Sequence, residues 1–262
     1  MKAYLAVIRG RLSALLQYRA AVAAGMMTQV FWGIVNVMIL QAFYDQSTVP
    51  QPISLEQAIT FVWLGQALLQ LIPWSIDKEL EAQVRSGNVA YELIRPISLY
   101  WLYYARSVAM RVIPTMLRCF LIFFVASFFG LSAPISINAG IAFSLSLCLS
   151  ALLSAAMTSL VIITLFWTIS GEGIQRLMPH VTVLLTGMVV PLPLFPSWMQ
   201  PFLDVQPFRG ILDIPIRLYT GVIPVHEAFY WMTFQACWAL AFVCLGRFLM
   251  TQAMKRLVIQ GG

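Results

Sequence analysis

Long apolar runs constrain this chain more than any other feature. Six of them, at about residues 20–44, 56–75, 101–129, 136–169, 180–195 and 225–249, recur through 262 residues with few charges in their interiors. A helix needs about 20 apolar residues to cross the hydrocarbon core, and within lipid every backbone N–H and C=O must be paired. The chain therefore reads as an all-α polytopic membrane protein with six transmembrane helices. Composition agrees, since 60% of its residues are hydrophobic and 10% are charged, against roughly 25% charged in soluble domains. The fifth run is irregular: it is short, and its end, VVPLPLFP, is broken by proline.

Basic residues orient the spans, because Lys and Arg near span ends are retained on the cytoplasmic side. Lys2, Arg9, Arg11 and Arg19 precede the first run and Arg247, Lys255 and Arg256 close the last, so an even number of spans puts both termini in the cytoplasm. The loops holding Lys78, Arg85, Arg95 and Arg176 then also fall inside. Arg209 and Arg217 fall outside, balanced locally by Asp204 and Asp213. The net charge of +6 expresses this topology and an attraction to anionic membrane lipids, with no nucleic-acid role. Residues 1–19 space Leu5, Ile8, Leu12, Leu15 and Leu16 as one face of an amphipathic interfacial helix. The long charged N-terminal region carries no cleavable-signal pattern.

Two segments between the spans are unusual. Residues 77–98 form a charged island in which Asp77, Glu79 and Glu81 complement the positive end of a short helix. Gly87, between Ser86 and Asn88, can end it with a positive φ, and Pro96 keeps Arg95 out of a continuing helix. Residues 196–217 interleave Pro196, Pro201, Pro207 and Pro215 with aromatics, which fits neither a span nor a solvated loop. The expectation is a re-entrant segment, either an external gate or an interfacial cap.

Polar side chains inside spans are costly and face protein or water. Gln29, Trp32 and Asn36 share one helical face, and Trp63, Gln66 and Gln70 another. They serve interhelical hydrogen bonds worth about 1 kcal/mol or less each, or they line a path. Arg118 lies deeper in the third run than Arg106 or Arg111, and Glu172 is the acidic partner that topology offers to Arg111 or Arg118 in a structural ion pair. Cys119, Cys148, Cys237 and Cys244 show no metal spacing, and neither His180 nor His226 has a second ligand nearby, so no metal site is expected. No catalytic arrangement stands at membrane depth, which disfavours an intramembrane enzyme. A secondary, ion-coupled transporter would call for inverted repeats and mid-span acids, neither of which is evident.

Three pieces, EAQVRSGNVAYELIRPIS, GMVVPLPLFPSWMQPF and KRLVIQGG, resemble one family, the permease subunits of ABC-2 type ATP-binding cassette exporters. The resemblance implies a cytoplasmic coupling helix between spans two and three, with ATPase contacts at Asp77, Glu79, Glu81, Arg85, Gly87, Asn88, Arg95 and Pro96. It implies a path lined by spans one, two and five at an interface with a second permease, which adds Thr182 and Thr186 to Gln29, Trp32, Asn36, Trp63, Gln66 and Gln70. The expected partners are two ABC ATPase subunits and a second permease copy or a related one, in the bacterial plasma (inner) membrane. The chain has no GxxxxGK[ST] motif, since none of Lys2, Lys78 and Lys255 follows a glycine. ATP and Mg would therefore belong to the ATPase, with no cofactor in this chain.

Overall fold

A computed structural model describes residues 19–73, 77–89, 92, 98–168 and 172–256. Among the described residues the ordered elements are helical: α1 (Arg19–Gln46), α2 (Leu55–Leu68) with a 3-10 turn at Leu69–Leu71, α3 (Lys78–Arg85), α4 (Leu99–Ala126), α5 (Ile137–Thr168), α6 (Glu172–Leu185), α7 (Gln200–Val205), α8 (Asp213–Thr220) and α9 (Ala228–Arg256). The interfacial helix expected over residues 1–19 lies outside the described residues apart from Arg19, which opens α1.

Four helices are long and apolar enough to cross a membrane: Ala24–Gln46, Leu99–Ala126, Ile137–Thr168 and Val225–Lys255. They coincide with the first, third, fourth and sixth apolar runs. The other two runs take a different form. Residues 56–75 contain α2, a 14-residue helix about 21 Å long, held at its start by a capping box. Ser54 Oγ accepts from Gln57 N at 3.2 Å, and Gln57 Oε1 accepts from Ser54 N at 2.9 Å. The helix of the fifth run, α6, begins earlier than the run at 180–195 suggests and ends at Leu185, before Pro191 is reached. Its stop is a glycine cap, not a proline break: Gly187 sits at φ 79°, Gly187 N donates to Leu184 O, and Met188 N donates to Val183 O.

The axis of the bundle is α5. Of its most apolar window 72% is buried, against 22%, 28% and 17% in α1, α4 and α9. Small residues make this possible, since Ala139, Ala142, Ala151, Ala155 and Ala156 let neighbouring backbones approach. Ser146, Ser150, Ser154 and Thr158, spaced one turn apart, tie four neighbours to the same stripe. Gln235 of α9 bonds Ser146 Oγ at 2.9 Å, Ser150 Oγ reaches Gly210 O at 2.8 Å, Ser154 Oγ reaches Leu71 O, and Arg111 of α4 bonds Thr158 Oγ1 at 3.1 Å. By contrast α1 exposes Met27, Phe31, Met38 and Phe43, and α9 exposes Phe229, Leu240, Leu245 and Phe248, the apolar faces a lipid environment accepts.

Residues 196–217 become α7, a 3-10 turn at Pro207–Gly210 and most of α8, packed into the bundle. Ile211, Leu212, Ile214 and Ile216 are fully buried. The contact of Gly210 with Ser150 places the turn about 20 Å along α5 from its start. Gln206 holds it there, donating from Nε2 to Leu185 O at 2.9 Å and accepting from Phe208 N at 2.6 Å.

Candidate functional site: a helical lever and a buried polar seam

The island residues build a short lever against α4 and α5. Asp77 caps α3 by accepting from Glu79 N at 3.0 Å, which satisfies one of the orphan N–H groups of a helix start. The same carboxylate is buried and accepts from Arg106 of α4 through Nη2 at 2.8 Å and Nε at 3.1 Å, while Glu79 Oε2 meets Arg106 Nη2 at 2.7 Å. Arg106 therefore turns inward to two carboxylates instead of extending to the surface. Beneath the clamp, Leu80 and Val89 are buried in an apolar cluster with Leu99, Tyr103, Ile162 and Ile163.

The opposite face of α3 is free of such packing: Lys78, Glu79, Ala82, Ser86, Gly87 and Asn88 are exposed, and Glu81 is half-buried. Gly87 adopts φ 75° with open space around its Cα, so the turn needs a left-handed residue and nothing else there. Of the sequence-expected contact residues, Asp77 faces the interior, and Glu79 is shared between Arg106 and solvent. Arg95, Pro96 and the side chain of Arg85 lie outside the described residues.

A second constellation runs along α1. Gly25, Gln29 and Gly33 occupy one face at one-turn spacing. The Arg118 guanidinium lies over Gly25, where an added Cβ would meet Nη2 at 3.1 Å, and the Trp63 ring lies over Gly33, where a Cβ would meet it at 2.6 Å. Gln29 is sealed between them at 3% exposure, with neither amide atom hydrogen-bonded. Arg118 forms no ion pair among the described residues, and its Nε is buried without a partner.

The other path residues separate. Trp32 is 53% exposed, so it does not share the buried surface of Gln29, and half-buried Asn36 donates to Trp32 O at 2.9 Å. Trp63 is fully buried and donates to Phe129 O at 2.9 Å, which makes it a packing anchor. Gln66 is buried and Gln70 half-buried. Thr182 and Thr186 are fully buried on α6 and the turn after it, and the Thr182 hydroxyl has no partner. Met188 closes over Gly65, its sulfur 3.2 Å from a Cβ built there. Arg111 is buried against Thr158, and the pairing of Arg111 or Arg118 with Glu172 lies outside the described side chains.

Sequence reasoning missed the hydroxyl stripe of α5 and its partner Gln235. The signal was present in the fourfold spacing of Ser146, Ser150, Ser154 and Thr158, small polar residues at the period of a helix face. It also missed Arg106, whose partners lie 29 and 27 residues away. No group of His, Cys, Asp and Glu suited to a metal ion occurs among the described residues.

Long apolar helices around a small-residue axis, with polar groups turned inward and a charged lever at one end, define an α-helical multi-pass membrane protein. Residues 30–261 match the family model described as ABC-2 family transporter protein, and the chain belongs to that family. It is an ABC-2 type permease, the membrane component of an ABC transporter. No curated protein and no solved structure matches it significantly.

Proposed function

We propose that the chain is the permease of an ATP-driven exporter, with six crossings formed by α1, α2 with its 3-10 turn, α4, α5, α6 with the turn after it, and α9. In this reading both termini and α3 face the cytoplasm of a bacterial inner membrane. A second permease, identical or related, completes the path against the thinly packed α1 and α6, and two ABC ATPase subunits supply ATP and Mg. The buried amide of Gln29 and hydroxyl of Thr182, each without a partner, are the groups that opening would bring to a substrate. Gln66 on α2 and Thr186 in the turn after α6 are also buried.

The observation that carries this reading is the clamp of Arg106 on Asp77 and Glu79. A lever bonded to α4 through a buried charge pair moves with that helix, while its exposed face and the Gly87 turn remain available to an ATPase. A push on α3 is thereby a push on α4. The test is Gly87→Val with the cognate ATPase co-expressed. A β-branched residue at φ 75° costs about 1–2 kcal/mol locally, and nothing within 4 Å obstructs it. Membrane insertion should persist, while transport-coupled ATP hydrolysis falls severalfold. Undiminished coupling in a well-inserted variant would remove the lever assignment.

A further inference from the structure

At the end of the bundle where α4 begins and α9 finishes, Ser98, Leu99, Tyr100, Arg247, Met250, Thr251, Met254 and Lys255 line an open cavity of about 520 Å³. Among the described residues two cations line it and no carboxylate does. Neither Arg247 nor Lys255 forms an ion pair among the described residues. Ser98, Leu99 and Tyr100, which open the 28-residue helix α4, line the same cavity, and the Ser98 side chain makes no capping bond to the helix start. A helix start with uncapped donors favours a negative charge.

An independent feature lies in the same wall. Tyr100 is only 3% exposed, yet its hydroxyl has no hydrogen-bond partner. A buried donor left without an acceptor is costly. The hydroxyl stands beside Gly246, one residue before Arg247, where an added Cβ would lie 3.2 Å from it. Arg247 in turn spreads over the Trp101 ring at 6.0 Å.

We infer that this cavity holds the phosphodiester headgroup of an anionic glycerophospholipid. The lining supplies two positive charges, the uncapped start of α4 and the hydroxyl-bearing Ser98 and Thr251, and Tyr100, also in the lining, carries a buried hydroxyl without a partner. The apolar remainder, Leu99, Met250 and Met254, suits a glycerol and acyl-chain junction better than a hydrated free ion. Beside the cavity Phe248, and farther along α9 toward the middle of the bundle Leu240 and Leu245, are exposed apolar side chains over which acyl chains would run. No residue of α3 or of the Gln29 seam lines the cavity, although Leu99, Tyr100 and Met250 share the apolar cluster that Leu80 and Val89 enter, and the site stands whether or not the transport reading does.

The test is native mass spectrometry of the full chain released from detergent, titrated with phosphatidylglycerol or with phosphatidylcholine of the same acyl chains. The wild type should retain phosphatidylglycerol preferentially. Arg247→Gln and Lys255→Gln should each weaken that retention about fivefold, as expected for one cation near a lipid phosphate. Tyr100→Phe should weaken it less while keeping the fold. Lys78→Gln, an equal charge loss on exposed α3, should leave it unchanged. Equal retention by wild type and the Arg247 and Lys255 variants, or an equal loss in Lys78→Gln, would overturn the site. Displacement of the lipid by millimolar inorganic phosphate would overturn its assignment to a lipid. Thermal melts of each variant separate loss of binding from loss of folding.

Discussion

Two buried arginines each hold two carboxylates, and they do different work. Arg106 joins α4 to Asp77 and Glu79 on a separate element, across 29 and 27 residues of chain. Arg209 joins residues of its own neighbourhood, Asp204 at 2.5 Å and Asp213 at 3.1 Å, and stacks its guanidinium 4.4 Å from the Trp231 ring. Arg217 adds a second contact to Asp213 at 3.4 Å. The first arrangement ties α3 to α4 and leaves Glu79 partly in solvent. The second is a local staple, with Arg209 and Asp213 essentially inaccessible, set in a core of Ile211, Leu212 and Ile214. The same chemistry links two elements where its partners are distant in sequence and fixes a local fold where they are near.

Substitutions at the two arginines separate these roles. Arg209→Gln should have the largest effect. It leaves the Asp213 carboxylate in an apolar core with one long contact to Arg217, a loss of about 3–5 kcal/mol for breaking a buried pair. Little monodisperse protein should survive detergent extraction and size-exclusion chromatography. A variant that stays folded with a near-normal melt would mean the staple is dispensable and would break the comparison. Arg106→Gln should be milder in stability, about 1–3 kcal/mol, because Asp77 keeps its bond from Glu79 N and Glu79 can turn to water. Its larger consequence should be functional: purified protein that still binds the ATPase, with transport and ATP hydrolysis uncoupled. Coupling retained at wild-type level would place Arg106 with Arg209 as a staple.

The spanning helices were legible because lipid imposes a length and a composition, and α1, α4, α5 and α9 obey both. Signals local to a few residues were also legible: the negative start of α3 at Asp77 and the turn at Gly87 follow from capping chemistry that reads directly from side-chain type. The end of α6 was not, because the prolines after 190 masked a glycine cap at Gly187 that acts first. The clamp at Arg106 was not either. Sequence spacing places a residue on a helix face but does not say which loop folds back onto that face. Gln29 and Trp32 differ in burial for a related reason. A shared helical sector is broad, and only the packing of Arg118 over Gly25 and Trp63 over Gly33 decides which part of it is sealed.

Gln29 gives the smallest stability effect and the sharpest division between packing and path. Its amide is buried with no partner for either atom, so the protein already bears the cost of desolvating it. Gln29→Met keeps the shape of the side chain and removes the unpaired polar atoms, a change expected to be neutral within about 0.5 kcal/mol or stabilising. If Gln29 is a group that opening exposes to substrate, transport should fall severalfold while the melt is unchanged or rises. If the amide serves a hydrogen bond with a second permease, the melt of the assembled transporter should fall instead, with that of the isolated chain unaffected. A variant unchanged in both respects would remove Gln29 from the path. The long-range clamp would then remain as the lever, acting on helices whose substrate contacts lie elsewhere, with Thr182 and Gln66 next in line because they share its burial without being packing anchors like Trp63.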